Sequence, residues 1–400
     1  MSIISQRIER LSPSATLAMS QKSAELKAKG VDVINMSVGE PDFNTPEHIK
    51  EAAKRAIDEN FSRYTPVAGY LSLRQAVCDK LLRENGISFS PEQIVVGNGA
   101  KQELYNALLA CVDPGEEVII PTPAWVSYVE MVKLAEGKVV EVPAGIENDF
   151  KITPDQLKAA ISPKTKMLML NSPCNPTGSI YTYDELKGLA EVLEQHPDIL
   201  ILADEIYEHI NFVGKVHSIS EFPALHDRVI IVNGVSKAYA MTGWRIGYLA
   251  APLKIAKAVS KLQGQSTSGA SSIAQKAAEA AYNGSQNCIE EMRKAFERRR
   301  DLIVELAKEV PGWQVNRPDG AFYLFPKVDS YVGAFTPDGR RLESVSDYVM
   351  YLLEEAHVAC VDGEAFCAPG YMRLSYATSD DNIREAIRRI REASLRLKNI

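Results

Sequence analysis

Seven short apolar runs punctuate the first 250 residues, at 94–96, 118–120, 139–142, 167–170, 199–203, 229–232 and 246–250. Each is nearly unbroken Val, Ile, Leu, Met or Ala. That is the texture of strands buried on both faces, and it predicts a sizeable, mostly parallel sheet. Helical patterns with marked starts lie between the runs. Thr45-Pro46 predicts an N-cap followed by proline at the first helical position. Thr153-Pro-Asp-Gln156 and Thr182-Tyr-Asp-Glu185 read as capping boxes. Alternating strands and helices give an α/β class, with helices on the faces of a seven-stranded sheet. After about residue 285 the texture changes. The stretch 287–309 predicts a long charged amphipathic helix, and 315–328 a strand and turn around Pro318-Asp-Gly320. A last helix opens at Ser379 and places Ile383, Ala386, Ile387, Ile390 and Ala393 on one stripe.

Composition narrows the class. A chain of 400 residues is too long for one core and suits about two or three domains. The net charge of −7 leaves no basic excess to neutralise a nucleic acid. Six cysteines form no Cys-x-x-Cys pair, so reduced thiols in a cytoplasmic protein are expected. The six histidines show no metal-site spacing, and no metal is expected. The polar start at Gln6, Arg7, Glu9 and Arg10 does not read as a signal peptide. No apolar run is long enough to span a bilayer.

The chemistry concentrates where the apolar runs stop. In Asn233-Gly-Val-Ser-Lys-Ala-Tyr-Ala-Met-Thr-Gly-Trp-Arg-Ile-Gly247, Lys237 follows the buried run at 229–232. A lysine in a partly dry site can lose its proton and attack an aldehyde to form an imine. Ser236 and Arg245 can grip a phosphate beside it. One aldehyde and one phosphate describe pyridoxal 5'-phosphate. Gly97-Asn-Gly-Ala-Lys101 feeds a helix start, which suits an anion, or is a plain left-handed turn. Asp204 ends the run at 199–203. It is either a turn cap or the carboxylate that keeps a pyridine nitrogen protonated. Tyr207 lies three residues on. Asn171-Ser-Pro-Cys-Asn-Pro-Thr-Gly178 is a rigid turn whose Asn175 can reach a ring oxygen. Trp125, in Pro121-Thr-Pro-Ala-Trp125, stacks on a flat ring or is a core aromatic. Arg373, in Met372-Arg-Leu-Ser-Tyr376, binds a carboxylate bidentately, from a ligand or from a structural Asp or Glu.

Taken in order, these segments resemble the fold-type I pyridoxal-phosphate enzymes, and among them the class I aminotransferases. The resemblance runs from Ser37-Val-Gly-Glu-Pro-Asp42 to Arg373-Leu-Ser-Tyr-Ala-Thr378. It is strongest with the bacterial-type aspartate aminotransferases, through Pro13-Ser-Ala-Thr16, Tyr64-Thr-Pro-Val-Ala-Gly-Tyr70, Gly99-Ala-Lys101 and Gln263-Gly-Gln-Ser-Thr-Ser-Gly269. It implies a large cofactor-binding domain over 47–297 and a discontinuous smaller α+β domain from 1–46 and 298–400. It implies that Lys237 carries the cofactor and moves the proton, that Asp204 faces the ring nitrogen, and that Asn175 and Tyr207 bond the ring hydroxyl. Trp125 would stack on the ring. Backbone at Ala100 and Lys101, with Ser236 and Arg245, would hold the phosphate. Tyr70 would reach the phosphate of a neighbouring subunit, making the active unit a homodimer. Arg373, with Gly39, Trp125 and Asn175, would take the substrate's α-carboxylate.

For substrate choice, many aspartate aminotransferases use an arginine in the segment matching 265–272, and this chain has none there. The bacterial-type pattern implies Lys101 and Thr16 instead, although Lys101 also reads as a solvated lysine at a helix start. The expected reaction is transfer of the amino group of L-aspartate to 2-oxoglutarate by a ping-pong mechanism. Aromatic, prephenate or alanine-type amino acid and 2-oxo acid substrates within the same family are the alternative. A non-catalytic sensor built on the same fold is the distant one, since no basic excess accompanies it.

Overall fold

The computed structural model describes residues 3–398. All seven apolar runs are strands of one sheet: β1 (Ile94–Gly97), β2 (Glu117–Thr122), β3 (Lys138–Pro143), β4 (Thr165–Asn171), β5 (Leu200–Asp204), β6 (Val229–Gly234) and β7 (Gly247–Ala250). Their order is β1-β7-β6-β5-β4-β2-β3. Only β7 is antiparallel to its neighbours. The carboxyl ends of β1, β4, β5 and β6 therefore share one edge, where open α/β sheets hold ligands. Both faces are covered, which is why the strands read as continuous apolar runs. Val229 and Ile231 join one buried cluster, and Ile230 and Val232 join the other.

A third buried cluster forms beside the sheet. It brings Val33, Ile34 and Met36 against Phe322, Leu374, Ile383 and Ile387. Ile34–Asn35 pairs in parallel with Val358–Ala359. Next to it, β8 (Tyr323–Leu324), β9 (Val361–Asp362) and β10 (Met372–Ser375) make an antiparallel sheet with β10 in the middle. The charged helix runs Asn287–Ala307 and the last helix Asp380–Leu395, capped by Ser379, with its apolar stripe buried.

Both capping boxes form, at Thr153 and Thr182. Thr45 departs from expectation. The helix Glu47–Asp58 starts one residue later, with Pro46 at its N-cap. The Thr45 hydroxyl instead donates to the Ala240 carbonyl at 2.7 Å and accepts from Trp244 Nε1 at 3.0 Å. A tertiary contact has taken the hydroxyl that the local pattern assigned to the helix. The region 315–328 holds only the two-residue β8. All six cysteines are free thiols. Among the described residues, no helix is long and apolar enough to cross a membrane.

Candidate active site

A cavity of about 330 Å³ opens at the carboxyl edge of the sheet. Twelve of the thirteen residues singled out from the sequence line it: Thr16, Gly39, Ala100, Lys101, Trp125, Asn175, Asp204, Tyr207, Ser236, Lys237, Arg245 and Arg373. Tyr70 does not. It caps the helix Leu71–Lys80, with its ring edge-on to Phe61 and the Lys276 ammonium 5.3 Å from its centre.

Lys237 stands three residues beyond β6. Its amine donates to the Gly39 carbonyl at 2.6 Å. Burial lowers its ammonium to about 8. Glu40 opposes that shift, whereas Arg373 and Arg245 reinforce it. Such an amine is partly neutral near physiological pH, as a nucleophile requires.

Asp204 ends β5, in register with Asn171 at the end of β4. Its carboxylate accepts from the Tyr128 hydroxyl at 2.7 Å and from the Ile206 N–H at 3.2 Å. Burial raises its carboxyl to about 6, and those two bonds hold back a larger rise. The sign for stability follows. Below pH 4 the carboxyl is neutral whether the chain is folded or unfolded. As pH rises from about 4 to 6 the unfolded chain gives up its proton first, so a buried Asp204 costs on the order of 3 kcal/mol above that window. Cofactor-free Asp204→Asn should therefore melt higher than the parent at pH 7, with the gap closing toward pH 4. Melts at the two pH values check this, and equal gaps would refute it.

Arg245 and the turn at Gly97 form a positive cradle. Gly99 has φ +85°, and a β-carbon there would collide with Arg245 Nη2. Arg245 donates to the Thr242 carbonyl at 2.8 Å and the Asn98 carbonyl at 3.2 Å, with no carboxylate partner among these bonds. The helix Ala100–Cys111 starts beside it, with Ala100, Lys101 and buried Ser236 lining the cavity, so the positive end of the helix lies at this site. An amine, a carboxylate and an anion cradle in one cavity fit the aldehyde, ring nitrogen and phosphate of pyridoxal 5'-phosphate.

Of the two readings left open for Arg373, the structural ion pair does not form. Arg373 is 1% exposed, and among the described residues no Asp or Glu pairs with it. It donates to Asn175 Oδ1 at 2.9 Å and to the Ser37 carbonyl at 2.7 Å. The rings of Tyr323 and Phe366 lie 4.5 and 4.9 Å from its guanidinium carbon. Its Nε is buried without a partner. A dry cation without a counterion can take an incoming carboxylate. On the cavity's outer side Lys101 Nζ lies 4.6 Å from the centre of the Trp125 ring, and buried Thr16 Oγ1 has no partner.

Sequence reading missed four contributors. Tyr128 holds Asp204. Asn171 Nδ2 donates to the Asp204 carbonyl at 2.9 Å, and its Oδ1 accepts from the Asn175 N–H at 2.8 Å. The hydroxyls of Tyr323 and Tyr207 share a hydrogen bond of 2.7 Å. Ser37 offers only its carbonyl. Asn171, Ser37 and Tyr128 carried a signal, being within or three residues from segments already marked, although a backbone carbonyl such as that of Ser37 leaves no trace in residue type. Tyr323 carried none.

Comparison with known proteins agrees with this geometry. Residues 31–390 match the family Aminotransferase class I and II. A probable aspartate/prephenate aminotransferase of Rhizobium leguminosarum bv. phaseoli is 49% identical over 98% of both chains. The aspartate aminotransferase of Geobacillus stearothermophilus is 49% identical over 97% of this chain and 98% of its own. The crystal structure of the aspartate aminotransferase from Rhizobium meliloti superposes with a TM-score of 0.96 at 43% identity, over the whole of both chains. That of Thermus thermophilus, solved with maleate, gives 0.92 at 42% identity over 98% of this chain and all of its own. The chain belongs to the class I and II aminotransferases, and is a pyridoxal 5'-phosphate-dependent transferase of the aspartate or aspartate/prephenate aminotransferase group.

Proposed function

We propose that this enzyme moves the amino group of L-aspartate to 2-oxoglutarate, giving oxaloacetate and L-glutamate in two half-reactions. One observation carries the reading. The neutralisable amine of Lys237, the carboxylate of Asp204 and the counterion-free guanidinium of Arg373 converge on one cavity. Pyridoxal 5'-phosphate supplies an aldehyde for the amino group and a ring that draws electrons from the substrate's α-carbon when its nitrogen is protonated. Lys237 Nζ would hold the cofactor through its aldehyde and would move the proton at the substrate's α-carbon. Asp204, fixed by Tyr128, keeps the ring nitrogen protonated. Asn175 and Tyr207 bond the ring oxygen, and Trp125 covers the ring. Ser236, Arg245 and the backbone of Ala100 and Lys101 hold the phosphate. Arg373, with Gly39 and Asn175, orients the α-carboxylate.

The same reading makes Tyr70 reach the phosphate of a second subunit, so the active unit is a homodimer. Support comes from its position outside its own chain's cavity. The chain divides into a large body, 47–297, and a smaller one from 1–46 and 298–400. The buried cluster that joins Val33 to Ile383 supports that division, with Ile206, Tyr207 and Ile210 of the large body packed into it. Six free thiols suit a reducing compartment, the cytoplasm.

Lys101 and Thr16 favour a second carboxylate on the substrate, as does the maleate held by the Thermus enzyme. Relatives described as aspartate/prephenate aminotransferases favour prephenate as a second acceptor. A panel of aspartate, phenylalanine and alanine half-reactions tests the choice. Lys101→Ala should lower kcat/KM for aspartate by about 10- to 100-fold, the worth of one charge-assisted contact, with alanine changed less than about threefold. Equal losses for all three substrates would remove Lys101 from the distal-carboxylate role.

A further inference from the structure

Behind the cavity, on the far side of the turn that carries Tyr207, lies a buried lysine that the reaction does not use. Lys80 ends the helix Leu71–Lys80 and is 1% exposed. Its ammonium contacts Glu208 Oε1 and donates to Asn85 Oδ1 at 3.0 Å, with Glu84 Oε2 at 3.7 Å. Glu208 gathers three more contacts. Asn85 Nδ2 donates to Oε2 at 3.0 Å, Asn233 Nδ2 donates to Oε1 at 2.9 Å, and His209 Nδ1 lies 3.5 Å away. Burial works against ionising Glu208, but Lys80 and His209 outweigh it and hold its carboxyl below the usual range. The third carboxyl of the network, Glu205, is pushed up to about 8 by burial and then by Glu208. The ammonium already fills the centre of the Glu84, Glu208 and His209 group, so a metal ion has no seat there.

The ends of this network matter for the site. Glu208 directly follows Tyr207, in the turn after β5. Asn233 lies on β6, four positions before Lys237, and its Oδ1 accepts from the Gly234 N–H at 2.7 Å. Glu208 therefore ties the turn bearing Asp204 and Tyr207 to the strand end bearing Lys237. Lys80 keeps Glu208 charged, and a charged acceptor holds Asn233 more firmly than a neutral one.

We propose that Lys80 is a positioning residue: through Glu208 and Asn233 it sets where the Lys237 amine stands relative to Tyr207 and Asp204. The proposal rests on the reading that Lys237 carries the cofactor. Two variants test it in the loaded, full-length enzyme. Lys80→Met strands the Glu208 charge. Asn233→Ala leaves the ion pair whole and cuts its tie to β6. In both, the visible absorbance band of the bound cofactor should change its pH midpoint by at least about half a unit, since the groups around the amine have moved. In both, kcat should fall about tenfold with KM within about threefold, the pattern of a lost transition-state alignment. Adding Glu208→Gln to Lys80→Met, which removes the stranded charge and retains the amide bonds, should restore most of the midpoint. An unchanged midpoint in Asn233→Ala overturns the proposal, whether or not Lys80→Met folds. A parent enzyme with no visible band would instead overturn the reading on which it rests.

Discussion

Turnover of aspartate by the Lys237→Ala variant should fall by at least about 10⁴-fold, the upper range for a lost general base combined with a lost covalent attachment. The reason is that, apart from Lys101, which lies over the Trp125 ring, no other amine lines the cavity. The phenols of Tyr128 and Tyr207 are raised well above their ordinary value, chiefly by burial. A guanidinium such as that of Arg373 is not deprotonated in proteins, and Asp204 is committed to its bonds with Tyr128 and Ile206. The Lys237 amine, lowered to about 8 by burial, changes protonation in the range where the reaction runs. The parent's rate of cofactor uptake should accordingly rise with pH and reach half its plateau near 8, because capture of an aldehyde needs the neutral amine. Steady-state turnover and stopped-flow uptake measure the two effects. Activity of the variant within tenfold of the parent, or an uptake midpoint near 10, would show that this amine is not the reactive one.

The Arg373→Met variant should lose about 10²- to 10⁴-fold in kcat/KM, because two charge-assisted bonds to a carboxylate are worth about 1.5–3 kcal/mol each. The loss should be alike for aspartate, phenylalanine and alanine, which share the α-carboxylate. This separates Arg373 from Lys101. A second consequence runs the other way. Cofactor-free Arg373→Met should be no less stable than the parent, since burial without a counterion taxes the guanidinium. The orphaned Asn175 Oδ1 and Ser37 carbonyl offset part of the gain. Kinetics on the three substrates and urea melts without cofactor test both halves. A variant that unfolds far more readily and binds substrate normally would make Arg373 a structural residue.

The sheet was legible because double burial leaves its strands almost purely apolar. Polar residues at the strand ends, Asp204 and Lys237, then stood out as departures that burial alone does not explain. Beyond residue 300 the strands are two to four residues long and cannot be told from turns by period. Contacts made by backbone carbonyls were also invisible. Gly39 meets Lys237, and Ser37 meets Arg373, through atoms every residue has. Thr45 misled because a distant carbonyl competed for its hydroxyl. Lys80 was unreadable for the opposite reason: a lysine at a helix end looks like a solvated one, and only the fold surrounds it with acceptors.

Arg373 lies 336 positions after Ser37, its partner across the substrate seat. Asn175, Asp204, Lys237 and Arg245 all leave the ribosome before β10 is made. In the proposed reading, a growing chain thus holds the residues that grip the cofactor, and Gly39 and Asn175 of the substrate seat, before the arginine that completes that seat is made. A chain stalled short of β10 would lack Arg373 and so be inert.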